Sequence, residues 1–378
     1  MAQGGEQADY IVIGAGMAGA SVAAELSRHA RVILVEREPQ PGYHTTGRSA
    51  ALFTMAYGPA VIRALSRASH DFFRGVGPGD PPGDLIRQRG VLFVGRDDQA
   101  GDLTALQGEL GDAVEPVSAT MARDHVPLLR PGYATAALFD RHAADIEVHG
   151  LHQHYLKSFR ARRGALHLKS EVVGLSRVGG DWLVETRDAA LRAPVVINAA
   201  GAWADELARM AGLAPLGLRP LRRTALLVTP PCGITPDPWP MVVDVAEKFY
   251  LKPDAGNLLI SPADETPSPP CDAQPEELDV AICVDRIETA FSIEVRRIEH
   301  KWAGLRNFLP DGNPAVGYDQ DAPGFFWLAG QGGYGIQTAP AMARAAAALA
   351  RGVDLPGDIQ DQGVTSGALS PARAGLAA

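Results

Sequence analysis

Three glycines at positions 14, 16 and 19, in Gly14-Ala-Gly16-Met17-Ala18-Gly19, make the spacing G-x-G-x-x-G, which suits the binding of a pyrophosphate. The first glycine permits a tight turn, the second lets backbone approach phosphate oxygens, and the third allows a helix to pack closely on a strand. Phosphates then meet free N–H groups and the positive end of a helix dipole. Glu36, followed by Arg37, stands about 20 residues further on, where an acid receives ribose hydroxyls and would repel a 2′-phosphate. Glycines also serve ordinary turns, but strand, helix and acid together point to a dinucleotide, FAD or NAD.

Those residues need a β-α-β frame. Tyr10–Ile13 reads as a β-branched strand, 17–29 has helical spacing, and 31–36 is a second strand. Pro39 and Pro41-Gly42 break the pattern. Beyond them the sequence predicts a helix over 60–73, a Gly/Pro-rich stretch over 75–83, a strand over 90–95 and helices near 103–110 and over 147–162. Two strands within 166–186 flank Gly179-Gly180-Asp181, and 195–197 is a buried-type strand. Strand-like runs such as 224–228 and 249–251, a Pro/Ser loop at 261–275 and a helix over 276–290 describe a second, mainly antiparallel unit. A strand at 325–329, glycines, and an alanine-rich helix over 337–351 return to the first.

The expected fold class is therefore α/β. A discontinuous, Rossmann-like dinucleotide domain (1–95, 145–215 and 300–365) carries a second α+β substrate domain on a mainly antiparallel sheet (96–144 and 216–299). Residues 366–378 read as a loosely held tail.

Composition narrows the function classes. At 378 residues, with 46% apolar and 21% charged residues, the chain has the usage of a globular enzyme. A net charge of −9 with no basic run longer than a pair argues against nucleic acid. Cys232, Cys271 and Cys283 have neither metal-site spacing nor an even count, so no metal is expected and a reducing cytoplasm fits. The first apolar run is too short for a transmembrane segment or a signal peptide.

Several segments carry a resemblance. The glycine motif, His44-Thr-Thr-Gly-Arg-Ser-Ala-Ala51, Asn198-Ala-Ala-Gly-Ala-Trp203, Trp302-Ala-Gly-Leu-Arg306 with Pro310-Asp-Gly312, and Gly330-Gln-Gly-Gly-Tyr-Gly-Ile-Gln337 occur in one order over about residues 8–350. Together they resemble the D-amino-acid oxidase/glycine oxidase superfamily of flavoproteins. Ala56-Tyr57-Gly58 and Phe249-Tyr-Leu-Lys-Pro-Asp-Ala-Gly256 resemble in particular its bacterial D-arginine dehydrogenase type. The resemblance implies a GR2-type FAD domain holding FAD non-covalently in extended form, with the isoalloxazine between the domains. It places Gly14, Gly16, Met17, Ala18, Gly19, Glu36, Arg37 and Val172 toward the adenosine and pyrophosphate, with Ala200, Gly201 and Trp203 at the pyrophosphate or ring edge. Arg48, Ser49, Ala50, Gly304, Gly332, Tyr334, Gly335, Ile336 and Gln337 are placed around the ring and ribityl chain.

The same resemblance implies a small amino-acid substrate, with hydride passing from its α-carbon to flavin N5 and an imine hydrolysed to a 2-oxo acid and ammonia. Oxygen, a quinone or another acceptor then takes the electrons. Arginine suits the substrate's carboxylate, because its planar fork binds bidentately and stays charged. By family position these arginines are Arg223 and Arg306, with the Tyr250 hydroxyl beside them, the Gly333 carbonyl for the amine and Tyr57 as a lid. Leu52, Gly90 and Ile336 are assigned to the side-chain pocket. Leu52 and Gly90 stand where the D-arginine type has a His and a Glu, which implies an uncharged, apolar side chain. Glycine, sarcosine, another N-methyl or imino acid, a 2-hydroxy acid, and a non-catalytic flavin-binding protein are the competing readings.

Overall fold

The computed structural model describes residues 6–77, 79–81, 83 and 85–376; residues 1–5, positions 78 and 82 of the Gly/Pro-rich stretch, position 84 after it, and 377–378 of the expected tail lie outside them. A six-stranded sheet carries the N-terminal motif. Its order is Ala165–His167, Val32–Val35, Tyr10–Ile13, Val195–Asn198, Phe325–Ala329 and Ala315–Tyr318, the last antiparallel and the others parallel. Its central strands are continuous apolar runs because both faces are covered. One face packs on the helices Met17–Leu26, Ala60–Phe73, Val148–Ala161 and Ala339–Ala350. The other packs on the helix Ala204–Met210 and on a four-stranded sheet through Trp182, Val184 and Leu191.

The second sheet has nine strands and is mainly antiparallel. Along it run Thr266–Pro267, Arg219–Val228, Asn257–Ser261, Tyr250–Asp254, Met241–Asp244, Val91–Gly95, Ala136–Asp140 and Glu115–Ser118, and Ile298–Phe308 pairs with Arg219–Val228. Successive side chains alternate between faces. Leu92, Leu226, Val228, Val242 and Leu251 bury one face against the helix Glu277–Ala290. Val91, Phe93, Ala225, Met241 and Val243 leave the opposite face toward a cavity. The fold is thus mixed α/β, a parallel dinucleotide-type sheet joined to a mainly antiparallel one.

Two segments differ from the expected division. Val91–Gly95 and all but the first two residues of Ile298–Phe308, assigned from the sequence to the first unit, are hydrogen-bonded into the large sheet. The tail is also less loose than expected. Ser366–Leu369 is a short helix with Leu369 buried, and Arg373 forks onto Asp311 at 2.7 and 2.9 Å while Leu376 is buried beyond it.

Candidate functional site

The strand Tyr10–Ile13 ends at Gly14, whose φ of +103° favours glycine; a Cβ there would stand 2.5 Å from the carbonyl oxygen of Ala199. Gly16 precedes the helix Met17–Leu26, whose first N–H, that of Met17, donates to Thr46 Oγ1 at 2.9 Å. Gly19 is outside the cavity lining: a Cβ there would overlap the Gly14 carbonyl, so this glycine sets helix–strand contact. Glu36 is buried, and burial pushes its carboxyl up, opposed by N–H groups of Glu38 (3.0 Å) and Ala15 (2.8 Å). Arg37 lies over the Trp203 ring at 4.8 Å. His152, on the helix Val148–Ala161, meets the Ala15 carbonyl at 3.0 Å and braces the loop from behind. Burial lowers its pKa, against the pull of that hydrogen bond.

From this end one continuous cavity of about 480 Å³ runs between the two sheets. Gly14, Gly16, Met17, Ala18, Glu36, Arg37, Val172, Ala200, Gly201 and Trp203 line it toward the glycine turn. Arg48, Ser49, Ala50, Gly304, Gly332, Gly335, Ile336 and Gln337 line it further on. The Arg48 guanidinium is engaged with Asp272 and the carbonyls of Ala273 and Ala303. The Gln337 amide is spent on Ser66 and Thr54, tying the 52–54 segment to the helix Ala60–Phe73. Their contribution to the lining is therefore backbone and aliphatic stem. Tyr334 is absent from the lining and stands behind it, edge-on to Tyr57 at 5.0 Å.

The cavity fits FAD on two grounds. Its glycine turn leaves the N–H groups of Gly16 and Ala18 without a partner among the described residues, free to meet a pyrophosphate, and three lining residues carry a buried polar atom likewise unpaired: His44 Nδ1, Asn307 Oδ1 and Gln331 Nε2. Buried unpaired groups are costly, and the polar edges of a flavin can satisfy them.

The far end is built by sheet register. Leu221 pairs with Arg306 and Arg223 with Gly304, so Arg223 and Arg306 are diagonal neighbours on one face. Arg222 points the other way, into Glu276 and Asp279. Arg223 Nη2 and Arg306 Nη1 each donate to Glu265 Oε1 at 3.0 Å, and Arg306 Nη2 donates to the Tyr57 hydroxyl at 3.1 Å. A Cβ on Gly333 would overlap the Arg306 guanidinium. Tyr250, first residue of its strand, lines the same space; burial raises its phenol, and the nearby Arg223 charge pulls it back. Arg223, Arg306, Tyr250, Tyr57 and Gly333 are thus brought together, with Leu52 and Ile336 in the lining.

Gly90 is not part of this wall. Its φ is +77°, its N–H donates to the Ala143 carbonyl, and a Cβ would press on the Phe139 ring. Val91 takes the place expected of it. Sequence reasoning missed Thr46, His152, Asn307, Gln331, Glu247 and Glu265. Thr46, Asn307 and Gln331 lie inside or beside quoted motifs and were within reach, whereas the two glutamates come from turns between strands and carry no local signal.

These features have counterparts in known proteins. The model of the family described as DAO, FAD dependent oxidoreductase, matches residues 9–349. A glycine oxidase of Pseudomonas aeruginosa is 29% identical over 90% of this chain and 94% of its own. Crystal structures of glycine oxidase from Geobacillus kaustophilus and of an FAD-bound L-alpha-glycerophosphate oxidase from Mycoplasma pneumoniae superpose with TM-scores of 0.79 and 0.83. Their identities are 21% and 19%, each covering 92% of this chain, with 96% and 95% of their own chains covered. With its parallel sheet, glycine turn and flavin-sized cavity, the chain belongs to the DAO family of FAD-dependent oxidoreductases, and FAD is its cofactor.

Proposed function

We propose that this flavoprotein deaminates an amino acid with an uncharged, apolar side chain, of D-configuration, to the 2-oxo acid and ammonia. The observation that carries the reading is that Arg223 and Arg306, both in the cavity lining, converge on one oxygen of the Glu265 carboxylate. FAD, when bound, supplies the two-electron acceptor for a hydride leaving the substrate's α-carbon. The protein's part is position and charge rather than a strong base. Arg223 and Arg306 hold the substrate carboxylate, the Tyr250 hydroxyl adds a hydrogen bond, and the Gly333 carbonyl accepts from the amine. Tyr57, already bonded to Arg306, closes the mouth against water. Leu52, Val91, Phe93, Met241 and Val243 offer the side chain an apolar wall. The D-configuration rests on the resemblance to the D-arginine type.

Anaerobic mixing with D-, L- and N-methyl amino acids tests the reading. Bleaching of the yellow enzyme is expected first with D-Leu, D-Met or D-Phe. Preference for glycine, the substrate named for the Pseudomonas aeruginosa relative, or for sarcosine would move the substrate class. Preference for D-Arg would make Glu247, at the exposed edge of the lining, a counter-charge and overturn the apolar assignment.

A further inference from the structure

We infer that Glu265 is a specificity-determining residue that restricts the Arg223–Arg306 pair to substrates with a single carboxylate. The inference rests on the reading that this pair seats the substrate's carboxylate.

Glu265 Oε1 takes one hydrogen bond from each guanidinium at 3.0 Å. Chance pairing of surface side chains does not account for its placement, because the turn that presents it is lashed to the strand below. Ser261 Oγ donates to the Thr224 carbonyl at 2.6 Å and accepts from the Ala263 N–H at 3.1 Å. Ala263 has a φ of +51°, a left-handed conformation that costs energy for a residue with a Cβ. Asp264, next along, accepts from the Thr224 N–H at 2.6 Å and from its hydroxyl at 3.0 Å, while its carbonyl accepts from Arg223 Nε at 2.9 Å. A strained residue held by this set of bonds delivers residue 265 onto the pair.

The charges then decide what the seat accepts. Two guanidiniums, 13% and 12% exposed, carry two positive charges, and the Glu265 carboxylate cancels one. One further carboxylate balances the remaining charge. A second carboxylate on the substrate would find no free cation on this pair and would be repelled by Glu265, bonded to both arginines, and by Glu247 on the cavity lining. Glu265 is 49% exposed, so it can shift within its solvated half as a monocarboxylate joins the pair, without losing its hydration. Specificity of this kind comes from a repulsive element as much as from the attractive pair.

The test uses the FAD-loaded enzyme and two anions that cannot be oxidised by it, propanoate and malonate, titrated while following the visible spectrum of the bound flavin. The native protein is expected to bind propanoate at least tenfold more tightly than malonate. Glu265→Gln, which keeps the shape and removes the charge, should raise the malonate-to-propanoate affinity ratio at least tenfold, and Glu265→Ala should do the same. A purely structural ion pair would alter both affinities together and leave the ratio in place. A ratio within twofold of the native value in both variants, with FAD content and propanoate binding retained, overturns the inference. Native propanoate affinity in Arg306→Met would instead remove the carboxylate seat itself, and this inference with it.

Discussion

The two ends of the cavity are made in different ways. At the cofactor end, the wall is largely backbone of the glycine turn at 14–18, held in place by bonds from its own N–H and carbonyl groups to Glu36, Thr46 and His152. At the substrate end, the groups are side chains from strands far apart in sequence, brought together by the register of Arg219–Val228 with Ile298–Phe308. The first depends on glycine and tolerates almost no added atom. The second depends on alternation, since a residue one position away, Arg222 beside Arg223, serves the opposite face.

The sharpest way to break the comparison is at Gly14. In Gly14→Val the side chain meets the Ala199 carbonyl in a backbone conformation that suits glycine, so the purified protein is expected to be colourless, with FAD-to-protein stoichiometry near zero. A yellow variant with native stoichiometry would mean that the glycine turn is not what holds the dinucleotide.

The neighbouring arginines separate the two faces of the large sheet. Arg306→Met and Arg223→Met should keep FAD and lower kcat/KM by about 10²–10³-fold, as expected when one member of a desolvated charge set loses about 3–4 kcal/mol of binding to the transition state. Arg222→Met should leave kcat/KM within a fewfold and lower the melting temperature instead, because it strands Asp279, buried in the first turn of the helix Glu277–Ala290 next to Glu276. Equal kinetic losses in Arg222→Met and Arg223→Met would show that alternation does not divide binding from stability here.

The same contrast explains what the sequence could reveal. The β-α-β frame was legible because buried parallel strands are apolar runs and the glycine spacing is local; Tyr10–Ile13, Ala60–Phe73 and Phe325–Ala329 lie where the pattern puts them. Ile298–Phe308 was not recognised as a strand. Its cavity side carries Gly304 and Arg306, and its outer end carries Glu299, His300 and Lys301, so neither face shows an apolar alternation. Functional residues had replaced the pattern that announces the element. Gly90 was misplaced for a related reason: the glycines and prolines before it leave no periodic signal to fix the register of Val91–Gly95. Glu265 gave no signal because its role depends on a turn conformation at Ala263 that composition does not encode.

The smallest expected effect lies behind the cofactor end and is one of pH. Burial lowers the pKa of His152 in the folded protein, while the unfolded chain keeps the ordinary value near 6.5. A base with a depressed folded pKa contributes stability that is fully present above its unfolded pKa and is lost as pH falls through the folded one. Acidification below about pH 6.5 should therefore lower the melting temperature, with a slope from this group of at most one proton, about 1.4 kcal/mol per pH unit. His152→Gln can still donate to the Ala15 carbonyl but cannot titrate, so its melting temperature should fall less steeply between pH 7 and 5. The second histidine with a lowered pKa, His154, titrates equally in both proteins and cancels in the difference. Identical acid-side slopes would mean that the brace behind the glycine turn is indifferent to protonation, and that only the substrate end of the cavity depends on charge.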